Sequence, residues 1–252
     1  MEIFISIIIF IIGICLGSFY GCMGYRIPNK ISMVKPDSFC PNCKKPLKWY
    51  MNIPLFSYIF LRGKCYYCKS KIGIKYFLIE LFTGVSFLIS YLMCGISLNF
   101  FILIILISML SVTIISDFDY YYISDRVLVI GIILIYLCHI IYEKSSFEYL
   151  KYALVGLIMF FIMLVIKVIG DKVFKKESLG GGDIKLMGVV GLTFGNLVSS
   201  FVSLFISCIM ALLSIIIMKR KDNIIPFGPF ILLGTIITYI CVVIYGINLL
   251  SV

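Results

Sequence analysis

Four of the chain's ten cysteines form Cys40-Pro-Asn-Cys43 and Cys65-Tyr-Tyr-Cys68, two C-x2-C pairs with 21 residues between them. A tight C-x2-C turn presents two thiolates to one tetrahedral ion, and two such turns complete a four-sulfur site. The expected ion is zinc. Four sulfurs leave no open position for substrate, so its role is expected to be structural. A polar loop of this size has almost no core of its own, and metal ligation supplies folding energy that it lacks. The alternatives are two disulfides or a redox C-x2-C, although redox chemistry does not require two copies. The other six, Cys15, Cys22, Cys94, Cys138, Cys208 and Cys241, are scattered through apolar sequence and read as small hydrophobes.

The second group with chemical potential is acidic. Of twelve Asp and Glu, Asp171, Glu177 and Asp222 sit among lysines as solvated charges, and Glu143 and Glu148 read likewise. Setting aside Glu2 and Asp37, five remain: Glu80, Asp117, Asp119, Asp125 and Asp183. Asp117 comes directly after an apolar run, Asp119 is two residues on, and Asp183 ends Gly180-Gly181-Gly182-Asp183. An ionised Asp costs roughly 2.5–3.5 kcal/mol at mid-membrane on insertion scales, and far less at a helix end. Asp125 and Asp183 each fit an N-cap that accepts orphan backbone amides. Three glycines, however, exceed what capping requires, and they let the backbone approach another element closely. Two carboxyls a few ångströms apart cannot both ionise, so one keeps a proton. The ionised one can take a proton from water while the neutral one polarises a carbonyl, which is aspartyl peptide hydrolysis.

The elements that must position these groups are apolar helices. The 252 residues are 62% hydrophobic and 13% charged, with mean hydropathy +1.13. That excludes a soluble globule, with its ~25% charged residues, and excludes disorder. Apolar runs near 3–21, 76–96, 99–116, 127–142, 150–170, 184–195, 196–218 and 229–250 predict an all-α polytopic membrane protein of about eight transmembrane helices. The first begins with Glu2 rather than a basic cluster and lacks an A-x-A site, so it is expected to stay as a helix. The run 184–195 is too short to span by itself and carries Gly188, Gly191 and Gly195, so it reaches partway or packs closely. The organisation expected is a first transmembrane helix over 1–21, a four-cysteine loop domain over 22–75, and a multi-helix membrane core over 76–252.

The net charge is +10, and residues 22–75 hold eleven Lys and Arg against one acid, Asp37. Lys and Arg concentrate in cytoplasmic loops, so topology, rather than nucleic-acid binding, explains the excess. The four-cysteine loop then lies inside, where thiols stay reduced and disulfides are disfavoured, and both termini lie outside. The loops near 117–126, 171–183 and 219–228 fall inside as well, with Arg126, Lys172, Lys175, Lys176, Lys219, Arg220 and Lys221. The outer loop at 143–149 offsets Lys144 with Glu143 and Glu148. Asp117 and Asp183 therefore share the cytoplasmic face. Trp49 and the many Tyr and Phe read as packing and interface anchors. Glu80, one turn into its helix, is expected to pair with Lys75 or Lys71 at the interface. His139 falls at the opposite, outer end and reads as interfacial.

An ordered set of motifs resembles the type IV prepilin peptidases, bifunctional leader peptidase/N-methyltransferases with an aspartic G-x-G-D site. Gly17-Ser18-Phe19 and Arg26-Ile27-Pro28 resemble the family's first helix end. Cys40-Pro-x-Cys43, Asn52-Ile53-Pro54-Leu55-x-Ser57-Tyr58, Arg62-Gly63-Lys64-Cys65-x-x-Cys68 and Glu80-Leu81 resemble its cytoplasmic domain. Asp117-x-Asp119 through Asp125, Gly180-x-Gly182-Asp183-x-Lys185 and Pro226-Phe227-Gly228-Pro229 resemble its catalytic core. The chain departs at Ser124, where the family usually has Pro, and at Tyr20-Gly21, where it usually has Leu-Asn. The resemblance implies that Asp117 and Asp183 are the catalytic pair, with Gly180, Gly182, Asp119, Asp125 and Glu80 supporting. It implies a prepilin or pseudopilin substrate cut after Gly at the inner face of the bacterial plasma membrane. It also implies N-methylation of the new N-terminus from S-adenosylmethionine, with help in binding that methyl donor as the alternative role for Glu80, although no Rossmann glycine fingerprint is present. Two rival readings are a membrane-anchored zinc-ribbon binding module without catalysis and a carboxylate transporter. The second is disfavoured because, Glu80 apart, the acids sit at helix ends.

Overall fold

The computed structural model describes residues 1–142, 146–218 and 225–246. The loop charges at Glu143, Lys144, Lys219, Arg220, Lys221 and Asp222 lie outside the described residues. The apolar runs become helices α1 (Glu2–Arg26), α3 (Ile74–Cys94), α4 (Leu98–Tyr120), α5 (Asp125–Tyr142), α6 (Ser146–Phe174), α7 (Gly181–Phe194), α8 (Leu197–Met218) and α9 (Gly228–Tyr239), the last continuing as a π-helical turn over Ile240–Ile244. One short helix, α2 (Phe56–Phe60), lies in the cysteine loop, and no strand occurs among the described residues. Among the described residues six helices are long and apolar enough to cross a membrane, the architecture of a multi-pass membrane protein. At 1.5 Å per residue the 14-residue α7 extends only about 21 Å, short of the ~30 Å hydrocarbon thickness.

The chain divides into two compact units, Met1–Gly95 and Ile96–Val252. In the first, α1 and α3 pack through glycines. A Cβ on Gly13 would stand 2.8 Å from the Gly84 Cα, and one on Gly17 would stand 2.9 Å from the Glu80 Cα. Lipid offers no hydrophobic drive between helices, so close backbone approach through small residues is what holds such a pair.

In the second unit α4 is central, burying Ile102, Leu103, Leu106, Leu110 and Ile115. Helices α8 and α9 meet through small polar residues, with Ser203 Oγ 3.2 Å from Thr235 Oγ1 and Gly234 against the Ser203 carbonyl. Helix α7 lies on α6 with Gly191 facing the Val155 carbonyl and the Gly156 Cα, at 2.6 and 2.8 Å from where a Cβ would stand. Those atoms are backbone and cannot rotate away. Gly191→Ala is therefore expected to push α6 and α7 apart and cost about 1–3 kcal/mol, the usual penalty for overpacking. Gly188→Ala is the control, because its Cβ would meet the Gly156 carbonyl at an ordinary 3.6 Å. Thermal unfolding in detergent should show a clear fall in midpoint for the first and little for the second.

His139, expected at the interface, is buried. Its ring stacks on Tyr152 at 3.7 Å between centroids and reaches the Leu192 and Thr193 backbone at the end of α7. Helix-end carbonyls leave α7 with unsatisfied acceptors, which explains why a polar ring is accommodated there.

Candidate functional site

Asp117 lies in the last turn of α4 and is 5% exposed. The helix ends at Tyr121, which takes a left-handed conformation (φ 50°), and the N–H groups of Tyr121 and Tyr122 close onto the Asp117 and Ser116 carbonyls. A tyrosine in that conformation costs roughly 1–2 kcal/mol, so the sharp turn is imposed by the packing around it. The connection to α5 holds Ile123, whose side chain fills the space left by two glycines. A Cβ on Gly182 would stand 2.7 Å from the Ile123 Cβ, and one on Gly228 would stand 2.8 Å from its Cδ1. Ile123 thus wedges between the start of α7 and the start of α9, bringing both helix N-termini to Asp117.

At α9 the contact is direct. The Gly228 N–H donates to Asp117 Oδ2 at 3.0 Å, from the first turn of a helix with Pro229 behind it. First-turn amides have no partner within the helix and carry its positive end, so a carboxylate is a natural acceptor there.

Asp183 is the third residue of α7 and is buried. Gly180, rather than Asp183, holds the capping position. The acid turns back towards it, receives the Gly180 backbone hydrogen bond, and has Oδ2 only 2.9 Å from where a Gly180 Cβ would stand. That is the reciprocal half of a capping box. Among the described residues the other oxygen, Oδ1, is buried with no hydrogen-bond partner, and the charge of Asp117 acts on Asp183 directly. Among the three glycines, Gly180 makes room for the carboxylate and Gly182 for Ile123, while Gly181 faces open space. A buried carboxylate oxygen aimed at nothing is costly and marks a place where a water or substrate belongs.

The remaining acids are spread around this pair. Asp125 does not cap α5. Ser124 occupies the position before the first turn, its carbonyl accepting the Leu128 N–H, and the Asp125 carboxylate meets the Lys185 ammonium from α7. Asp119 is exposed on the last turn of α4. Asp171 and Glu177, expected to be solvated, tie down the loop before Gly180. Asp171 accepts the Ser178 N–H at 2.6 Å and its hydroxyl at 2.8 Å, and Lys167 pairs with Glu177 at 2.8 Å.

In the first unit, the four cysteine sulfurs lie within 4.8 Å of one another, so they can hold one metal ion. Both knuckles use the same turn. Cys40 N–H donates to the Lys45 carbonyl and Lys44 N–H to the Cys40 carbonyl. Cys65, Ser70 and Lys69 repeat the pattern. Lys44 and Lys69 both have positive φ, 59° and 58°. The Ser70 hydroxyl, 3.0 Å from the Cys68 sulfur, pulls that thiol down to about 6. Glu80 accepts the Leu55 N–H at 2.7 Å and bonds the Ser18 side chain, which places it at the wall of a cavity of about 700 Å³. Buried Arg26 donates to the Ser32 and Asp37 carbonyls and so ties the end of α1 to the segment entering the first knuckle.

A multi-pass helical membrane protein with two buried aspartates brought together from α4 and α7, and with a four-cysteine loop, defines a narrow class. Residues 11–94 match the model for the Bacterial Peptidase A24 N-terminal domain, and residues 104–247 match the Type IV leader peptidase family. The chain is 32% identical to the prepilin leader peptidase/N-methyltransferase of Bacillus subtilis, over 97% of this chain and 96% of that one. It is 32% identical to the Neisseria gonorrhoeae protein of the same name, over 87% and 84% of the two chains. It is 33% identical to the type 4 prepilin-like proteins leader peptide-processing enzyme of Escherichia coli, over 88% and 82%. No solved structure matches. The chain belongs to the Type IV leader peptidase family.

Proposed function

We propose that this chain is a membrane aspartic endopeptidase that removes the leader from type IV prepilin or pseudopilin precursors, with Asp117 and Asp183 as its catalytic pair, and then methylates the new N-terminus. The observation that carries this reading is the buried Asp183 Oδ1, unpartnered among the described residues and within electrostatic reach of Asp117. Two like charges in a dry site favour a pair that shares one proton. The ionised carboxylate takes a proton from water as the water oxygen attacks the peptide carbon. The protonated partner donates to the carbonyl oxygen, and collapse of the tetrahedral species returns a proton to the leaving amine. Gly228 holds Asp117, Gly180 and Gly182 shape the approach to Asp183, Lys185–Asp125 joins the starts of α7 and α5, and Asp119 orients the turn beyond Asp117. The concentration of Lys and Arg in the adjoining loops supports placing this site at the cytoplasmic face of the plasma membrane. Prepilin leaders are basic and so is this face, so charge attraction does not select the substrate. The apolar helix of the precursor packs against the enzyme within lipid.

Zinc fits the cysteine site. A tetrahedral site with ~2.3 Å zinc–sulfur bonds needs sulfurs about 3.8 Å apart, and Cys40 and Cys68 stand at 3.9 Å. Cys40, Cys43, Cys65 and Cys68 would hold it, and its role is to brace the loop. S-adenosylmethionine would be held in the cavity of the first unit, whose wall includes the Glu80 carboxylate and the Tyr58 and Phe77 rings. When bound there it supplies the methyl group for the new amine.

The test is mass spectrometry of a native precursor processed in membranes. Cleavage after a Gly with a methylated new N-terminus is expected, and an uncut precursor would reject the reading. In the same assay Glu80→Gln should leave cleavage intact and lower methylation about 10–100-fold, the worth of one hydrogen bond to a charged group. Equal methylation by that variant would remove Glu80 from the donor site.

A further inference from the structure

Between the two knuckles the cysteine loop carries apolar side chains that nothing in its own unit covers. Trp49 and Phe60 are each 80% exposed, Phe56 55% and Ile59 59%, with Tyr50 and Ile53 half-exposed beside them. Trp49 lies in a single 3-10 turn, Trp49–Asn52, and Phe56, Ile59 and Phe60 fall at i, i+3 and i+4 on one face of α2. A polar loop held by four cysteines has no reason of its own to display three aromatic rings and an isoleucine to water.

Two further observations say what covers them. The segment is fixed beside a membrane-spanning helix, because the Leu55 N–H is bonded to Glu80 in the second turn of α3. Leu55 holds a φ of 62° to make that bond, a conformation that a leucine adopts only when its surroundings impose it. The rings therefore lie at the level where α3 enters the bilayer. The same loop is strongly basic, with Lys44, Lys45, Lys48, Arg62 and Lys64 all exposed. Lys and Arg face anionic lipid headgroups, and Trp and Phe sit well at the headgroup–acyl boundary. A short amphipathic segment with this composition buries its apolar face about 5–10 Å into that boundary.

We propose that residues 49–60 form an interfacial foot that inserts Trp49, Phe56, Ile59 and Phe60 into the anionic inner leaflet, pinning the metal-binding loop onto the membrane. The occupant of this surface is lipid, rather than a precursor or a second copy of the chain.

Trp49 is the only tryptophan in the protein, so the full chain reports on itself. Reconstituted without substrate into vesicles of phosphatidylglycerol and phosphatidylcholine, its emission should be quenched strongly by phosphatidylcholine brominated high on the acyl chain, and only weakly by aqueous acrylamide. Diluting the protein in lipid should leave the quenching unchanged, and Phe56→Ser with Phe60→Ser should weaken it and raise acrylamide access. The proposal is overturned if wild-type Trp49 is quenched freely by acrylamide and not by bromolipid. It is overturned equally if lipid quenching vanishes on dilution, which would make a second copy the occupant, or if Trp49 becomes shielded only when a precursor is added.

Discussion

Asp117→Asn and Asp183→Asn should each reduce leader cleavage by about 10²–10⁴-fold, the usual contribution of a positioned acid or base. Asparagine is the informative replacement because it keeps shape and burial. At 117 its carbonyl oxygen can still accept the Gly228 N–H, and at 183 it can still meet the Gly180 backbone. What it removes is the ionisable carboxyl proton, so a chain that accumulates normally in membranes and no longer cuts has lost chemistry rather than fold. The measurement is the fraction of a prepilin converted by membranes holding equal amounts of each variant. Full conversion by either one ends the proposal that the two act as a pair. The contrast is Asp119→Asn, which alters an exposed carboxylate but keeps the shape and the acceptor oxygen with which residue 119 orients the turn, so cleavage should stay within a few-fold of the parent.

The two acids are legible in the sequence because scarcity makes an acid next to an apolar helix informative, and because glycines before Asp183 ask for a steric explanation. The partner of those glycines is not legible. Ile123 is an ordinary aliphatic residue in a short connection, and only the folded chain shows it filling the space beside both Gly182 and Gly228. The signal is split between G-x-G-D and Phe227-Gly228-Pro229, motifs about forty-five residues apart whose common neighbour no local pattern names. Asp125 illustrates the opposite error. An Asp before an apolar run fits a cap by propensity, but the cap position falls one residue earlier, at Ser124, and the freed carboxylate finds Lys185 on another helix. His139 departs from expectation for a similar reason. Its position along α5 can be read from the sequence, but burial depends on Tyr152 and the end of α7 packing over it, and those contacts are tertiary. The α1–α3 pairing through Gly13, Gly17 and Gly84 is likewise seen only in the folded chain. Hydropathy alone, which finds the spans, does not say which spans touch.

Cys65→Ser should empty the metal site and unfold the loop around it. Cys65 is buried at the base of the second knuckle, its carbonyl and N–H close the turn through Lys69 and Ser70, and its sulfur is one of the four clustered ligands. The loop buries little apolar surface beyond Met51 and the cysteines themselves, so there is no core to take over once the ion is gone. Structural zinc is worth on the order of 10–16 kcal/mol in small domains of this kind, more than a few backbone hydrogen bonds can replace. Lys44 and Lys69 sharpen the expectation, because both hold positive φ without the glycine that would make it free, and a chain released from the metal has every reason to relax there. Metal analysis of the parent chain should give about one zinc per molecule, as a single tetrahedral site requires. The variant should give none, and a protease should then cut between the knuckles. Cys15→Ser, in α1 and outside the four-sulfur cluster, should keep both the metal and the resistance. A parent protein purified without chelator, thiols intact, that held no metal and still resisted the protease would show the loop to be held by something other than an ion.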